Sequence, residues 1–150
     1  MKTAKSTVLP VVALRDMVII PNTIEEIYLG RIKSVSALKS ALRGDKLIIF
    51  IPQKDPNVEN PAPDDLHTIG SLVKIFNVLP LEEKNIEAYK VWAEGKNLVR
   101  VIKFLPGKKH LRCEFKRVKA AKIKIEYANI VSSEGKILDK TITGFSPLNK

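Results

Sequence analysis

One cysteine, two histidines and one tryptophan in 150 residues leave little material for side-chain chemistry. With Cys113 alone no disulfide can close within the chain, and a reducing, intracellular setting is the expectation. His67, His110 and Cys113 are too few donors for a closed structural zinc site. No phosphate-cradling G-x-x-x-x-G-K-[S/T] loop is present, because Gly107-Lys108-Lys109 lacks both the upstream glycine and the following hydroxyl. A G-x-S-x-G nucleophile elbow is missing too. The longest apolar stretches fall far short of the 18 residues of a membrane helix. Val8 to Leu14, broken by Pro10 and closed by Arg15-Asp16, is too short for a signal-peptide core. The expectations are a cytoplasmic chain with no membrane partner.

The few reactive side chains read as structural. His110 and Cys113 are three apart, so on a strand they point to opposite faces and cannot pair as base and nucleophile. Cys113 alternates with Leu111 and Phe115 and reads as a buried thiol. His67 reads as solvated and Trp92, between Val91 and Ala93, as a core aromatic. Asp64 and Asp65 adjoin each other in a loop with no partner acid at a telling distance. Neither catalysis nor a cofactor is expected of these residues.

Charge is present but unevenly spread. The net +10 is confined to residues 96–124, which hold 11 basic residues and one acid, Glu114, while basic and acidic residues cancel on either side. Any electrostatic partner should be sought there. Within a small β-barrel, Lys103, Lys108, Lys109, Arg112, Lys116 and Lys119 could neutralise phosphates while Phe104 stacked a base. DNA is therefore one candidate partner.

Along the chain, Val8 to Leu14 and Met17 to Ile20 read as strands, the first demoted by Pro10 to an edge or irregular position. Pro21-Asn22 is a turn, and Ile24 to Leu29 another strand. Ile32, Val35, Leu38 and Leu42 form one helical face, with Gly44 as a left-handed stop. Leu47 to Ile51 reads as a strand buried on both faces. Three prolines and four acids then interrupt the pattern until Ile69, a loop too long to be a mere connector. Leu72 to Leu79, long enough to bend or bulge, Ile86 to Trp92 and Leu98 to Phe104 follow, the last two joined by Glu94-Gly95-Lys96-Asn97 as a tight turn. Strands at Leu111 to Phe115 and Ile123 to Tyr127 complete a count of eight or nine. Short turns argue for antiparallel pairing, and the number of strands for barrel-like closure.

Specific residues stand in a specific order. Leu9, Pro10, Leu14, Arg15, Asp16, Val18 and Pro21 are followed by Gly30, Arg31 and Ser34. Gln53-Lys54-Asp55-Pro56, then Pro61-x-Pro63-Asp64-Asp65-Leu66 and Ile69-Gly70, occupy the interruption. Glu94-Gly95 through Arg100-Val101 comes after. This series resembles the amino-terminal domain of the Lon family of ATP-dependent proteases, over residues 8 to about 118. Asn22 stands where that family often has glycine, and Ile32 where it often has a charge.

The resemblance implies a mainly β, β-rich α+β fold, a PUA-like pseudo-barrel of short, mostly antiparallel strands with one prominent helix. Residues 1–7 would be a flexible amino terminus, 8–118 the β domain, and 119–150 a basic extension holding the truncated start of a helical region. The ATPase and serine–lysine peptidase signatures of full-length members are absent. The implied role is recognition of unfolded or damaged substrate proteins, with self-association or contact to other modules of a larger protease. Arg31, Ile32 and Lys33, an apolar residue between two cations at the helix start, are candidate partner-binding residues. The helical pattern by itself turns Ile32 inward and leaves the cations in water.

Overall fold

The computed structural model describes residues 8–118. Six strands and one helix follow in the order β1 (Val8–Leu14), β2 (Ile24–Leu29), α1 (Ile32–Arg43), β3 (Leu47–Pro52), β4 (Ile69–Glu83), β5 (Ile86–Leu105) and β6 (Arg112–Arg117), with a short 3-10 turn at Pro63–Asp65. The sheet order is β2-β5-β4-β3-β1-β6, and β6 pairs back onto β5. Five strands thus close a ring, with β2 lying outside it on the free half of β5. All pairings are antiparallel except β1 with β3. The fold is β-rich α+β, and its barrel-like closure agrees with the sequence pattern.

Two apolar clusters occupy opposite faces of this sheet. Val11, Ile49, Ile51, Leu66, Leu72, Val99, Val101, Cys113 and Phe115 fill the ring interior. Val12, Leu14, Ile48, Phe50, Val73, Ile75, Val91 and Ala93 face the other way, under α1 and β2. Residues of β3 alternate between the clusters, so Ile48 to Ile51 are all buried, as the unbroken apolar run predicts. Burying each such side chain contributes roughly 1.5–3 kcal/mol, which makes β3 the strand on which both layers depend.

Several local expectations are corrected by this architecture. Pro10 does not put β1 at an edge: β6 pairs with Val8–Pro10 and β3 with Val11–Leu14, so the missing N–H falls where β3 pairing has not begun. Met17 to Ile20 is irregular rather than a strand, yet Ile19 is fully buried and its carbonyl accepts a hydrogen bond from Ser71 Oγ at 2.6 Å. Ile86 to Leu105 is one strand, not two; Gly95 lies within it, beside a bulge at Lys96. The described residues therefore hold six strands rather than eight or nine, two of them long, with 15 and 20 residues. The expected strand at Ile123 to Tyr127, like the expectations for residues 1–7 and 119–150, lies outside the described residues.

The helix is rotated from its predicted face. Val35, Ala37, Leu38 and Ala41 are buried with Ser34, while Ile32 is 86% exposed and Leu42 is exposed as well. Alanine carries the contact because its small side chain lets the helix backbone come close to β1 and β3. Gly44 is not left-handed (φ −114°); the left-handed residue is Lys46, two places on, at φ 66°. Asn22, in the place of a frequent glycine, has φ 68°. Asparagine tolerates that conformation better than most residues, so the departure preserves the turn.

Candidate functional site

An open cavity of about 640 Å³ lies where α1, the loop between β3 and β4, and the β4–β5 hairpin converge. Val11, Ala13 and Leu111 contribute apolar surface from β1 and the approach to β6. Ile32 comes from the start of α1, Ile86 from the hairpin, and Pro61 from the loop. Ile32 and Ile86 are largely exposed, so apolar carbon is presented at the cavity rather than packed away. Arg31, Lys33, Glu59 and Glu87 add charge of both signs.

Each wall is held by identifiable bonds. Arg31 Nη2 donates to the carbonyl of Ala13 at 2.8 Å and Nη1 to that of Glu59 at 3.1 Å. Arg15 Nη1 donates to the carbonyl of Pro56 at 2.7 Å, and Nη2 reaches Glu59 Oε1 at 3.2 Å. Burial, with the charge of Arg15 nearby, lowers the pKa of Arg31, but an arginine stays protonated. On the hairpin side Lys39 of α1 pairs with Glu87, whose carboxyl is held below its ordinary pKa first by that bond and then by the hydroxyl of Tyr89. Ser36 Oγ and His110 Nδ1, 2.7 Å apart, tie α1 to the β5–β6 loop.

The proline-rich interruption is an ordered wall. Gln53 is fully buried and its Nε2 donates to the carbonyls of Asp55 and Val58, both at 3.0 Å. Asp55 and Asp65 accept backbone N–H groups of Asn57 and Ala62, so these acids close turns. Leu66 inserts into the ring interior. The loop is long because it must cross from the end of β3, fold over the two arginines and drop Leu66 into the core.

Residues 8–142 match the model of the ATP-dependent protease La (Lon) substrate-binding domain. The chain belongs to this family. It is 34% identical over 108 residues to the Lon protease of Haemophilus influenzae, covering 71% of this chain and 13% of that protein. To the Lon protease of Xanthomonas oryzae pv. oryzae it is 40% identical over 95 residues, 63% of this chain and 11% of that one. The chain thus spans about an eighth or less of these relatives. The fold resembles the N-terminal domain of the Mycobacterium avium complex Lon protease, with a TM-score of 0.57 at 16% identity over 89% of this chain and 73% of that one. It also resembles a Lon N-terminal domain protein from Xanthomonas campestris, with a TM-score of 0.56 at 12% identity over 75% and 60%.

What matches is a binding domain of Lon, a non-catalytic one, and the arginines of its Leu-Arg-Asp and Gly-Arg motifs are the ones that fasten the loop. The candidate residues Arg31, Ile32 and Lys33 all reach the cavity, and so does Pro61 of the proline-rich loop, whereas Ile86 and Leu111 were not among the sequence-based candidates. Ile86 carries no local signal, since only the pairing of β4 with β5 brings the hairpin tip to α1. Among the described residues no cluster of His, Cys, Asp and Glu is arranged to hold a metal ion, and no helix is long and apolar enough to cross a membrane.

The cations named for phosphate contact lie on the surface wherever they fall among the described residues. Lys103, Lys108, Lys109, Arg112 and Lys116 are exposed, but Glu114 stands opposite Lys103 in the β5–β6 pair. Phe104 is opposite Cys113 and packs, half-buried, against the ring interior. Lys119 lies outside the described residues. His67, expected in solvent, is half-buried with its backbone N–H on the Pro52 carbonyl. Trp92, expected in the core, is half-buried and belongs to neither cluster.

Cys113 is buried as expected, and burial pushes its thiol up to about 12. Since only the thiolate attacks, the native domain at pH 8 should react with a thiol reagent at least about a hundredfold more slowly than the urea-unfolded chain. Time courses in the two conditions measure this directly; equal rates would mean that Cys113 is accessible in the native fold.

Proposed function

We propose that this domain recognises unfolded or damaged proteins for a Lon-type ATP-dependent serine protease, using the cavity between α1, the loop and the hairpin as its apolar anchor. The observation that carries this reading is the exposure of Ile32 and Ile86 at one cavity with an apolar floor. A soluble chain gains nothing from Ile32 in water, whereas a partner's leucine or phenylalanine side chain entering the cavity would cover it. Arg31 serves mainly as a fastener, because its guanidinium is already engaged on two carbonyls. Lys33 is the cation at the rim, suited to orient an acidic flank of the bound segment. Self-association, attachment to the other modules of a larger protease and a cytoplasmic setting belong to the same proposal.

The test is titration of a fluorescent unfolded protein at low and high salt, with duplex DNA as the control ligand. Binding of the unfolded protein should persist at high salt, since apolar contact is not screened. Ile32→Asp and Ile86→Asp should each weaken it about tenfold, the effect of losing one anchoring contact worth about 1.4 kcal/mol. Unchanged affinity in both variants would remove the cavity from the role. Salt-sensitive binding of DNA alone would replace the reading altogether.

A further inference from the structure

Strand β2 ends the sheet, and its pairing with β5 fixes which of its backbone groups are engaged. At its start the Asn22 N–H donates to the Gly95 carbonyl and the Gly95 N–H to that of Thr23, which makes Thr23 and Gly95 a hydrogen-bonded pair. Bonded and non-bonded pairs alternate along an antiparallel ladder. Ile24 opposite Glu94 is therefore non-bonded, Glu25 opposite Ala93 bonded, and the alternation runs on to Leu29. The N–H and C=O groups of Ile24, Glu26 and Tyr28 consequently point away from β5, where no strand among the described residues lies. The side chains of these same residues are exposed, whereas Ile27 and Leu29 are buried in the cluster that holds Ala37 and Leu38 of α1. On the exposed side Trp92 lies half-buried opposite Glu26, and Leu79 is exposed beyond Lys90. Such an edge is a template for one more strand, and β2 contains neither the proline nor the lysine that commonly blunts one.

What the edge takes follows from where it leads and from its charge. β2 ends at Leu29, and the next residues, Gly30, Arg31 and Ile32, line the cavity. A chain paired along β2 for about 20 Å thus arrives at the apolar anchor site. Glu25 and Glu26 are the charged residues of β2, and Glu83 stands beside it, accepting the Tyr28 hydroxyl at 3.0 Å. Lys90 answers Glu26 at 2.9 Å, which leaves the edge acidic on balance. A second copy of β2 fits it poorly. In full antiparallel overlap Ile24 would meet Tyr28, and Glu26 would meet its own equivalent, and like charges directly opposite destabilise a pair. An extended segment with lysine or arginine between apolar residues brings cations to these carboxylates and apolar side chains beside Ile24 and Tyr28.

We propose that the free edge of β2 adds an extended, basic segment of the unfolded polypeptide to the sheet as a further strand, the same polypeptide whose apolar side chain anchors in the cavity. This rests on the reading of the cavity as a recognition site and states how the chain approaches it. Main-chain pairing suits a domain that must accept many sequences, because every residue but proline offers the same N–H and C=O. The test is amide exchange in the full chain, with a short peptide of alternating valine and lysine as the probe. At saturation the amides of Ile24, Glu26 and Tyr28 should slow about tenfold or more, while those of Glu25, Ile27 and Leu29, already bonded to β5, change little. The same peptide N-methylated at alternate residues should bind about tenfold more weakly. Glu26→Pro should abolish the protection and keep the fold, since proline is tolerated where the N–H faces solvent. Should that variant fail to fold, the N-methylated peptide decides on the unmodified chain. Equal affinity of the two peptides, or no slowing at Ile24, Glu26 and Tyr28, overturns the proposal. So does slowing of these amides with rising protein concentration alone, which would give the edge to a second copy. Ile32→Asp should leave the peptide protection in place, so that a failure of the edge and a failure of the cavity are told apart.

Discussion

Replacing Gly95 with alanine should lower the urea midpoint of unfolding by an amount equivalent to about 3 kcal/mol, at the upper end of the cost of overpacking. A Cβ at this position would lie 2.4 Å from the Ile20 carbonyl oxygen and 3.0 Å from its carbon. Neither atom belongs to a flexible side chain. The Ile20 segment cannot retreat, because Asn22 N–H donates to the Gly95 carbonyl and Gly95 N–H to that of Thr23, each at 2.9 Å. It is fixed from below as well, through the bond between Ser71 Oγ and the Ile19 carbonyl. A shift large enough to admit a methyl group would thus break backbone bonds and lift Ile19 out of the core. The slope of the transition should stay the same, since the surface exposed on unfolding does not change. A midpoint within error of the unsubstituted protein would show that the Ile19–Ile20 segment is free to move.

The same glycine shows where the sequence was legible and where it was not. Glu94-Gly95-Lys96-Asn97 has the composition of a hairpin turn, and nothing within ten residues distinguishes that from a glycine required by close backbone approach. The distinguishing atoms belong to Ile20, some 75 positions earlier in the chain. By contrast β3 was readable because its buried residues are consecutive, and β6 because its apolar and polar residues alternate. The helix was found but turned wrongly: apolar spacing gave Ile32 and Leu42 to the core, whereas Ala37 and Ala41, too small to stand out in a pattern, hold the contact. Pro10 misled in the same manner, since a missing donor is harmless wherever neither neighbouring strand asks for one.

Half of the candidate site was legible. The Arg31-Ile32-Lys33 triplet was conspicuous because its apolar residue sits between cations, and the structure places all three at the cavity. Ile86 and Leu111 could not be assigned by any local rule, because each reaches the cavity through long-range pairing. Within residues 96–118 the cations of the basic segment are mostly exposed, but composition alone could not tell what stands among them. Alternation sends Phe104 inward with Cys113 and sets an acid among the lysines.

Arg31→Ala should destabilise the domain by about 2–3 kcal/mol, the range for hydrogen bonds to a charged group whose partner is left unmet. The reason lies in β1. Past Pro10 this strand has β3 on one side and, among the described residues, no strand on the other. The Leu14 carbonyl is met by Gln53 N–H at 2.8 Å, and that of Ala13 by Arg31 alone among the bonds described for it. One guanidinium therefore completes the open side of β1 and, through the Glu59 carbonyl, holds the loop against it. Arg31→Lys should recover little, because a single ammonium cannot present the planar pair of donors that spans both carbonyls. Arg15→Ala should cost less, since its bond to Glu59 Oε1 is with a carboxylate in open solvent. In the folded Arg31→Ala protein, backbone amides of residues 53–66 should exchange with solvent faster than those of β3, and binding of unfolded protein should weaken because a wall of the cavity is no longer held. Unchanged exchange in the loop would mean that Gln53, Leu66 and the aspartate-closed turns suffice to order it, leaving Arg31 free to meet a partner directly.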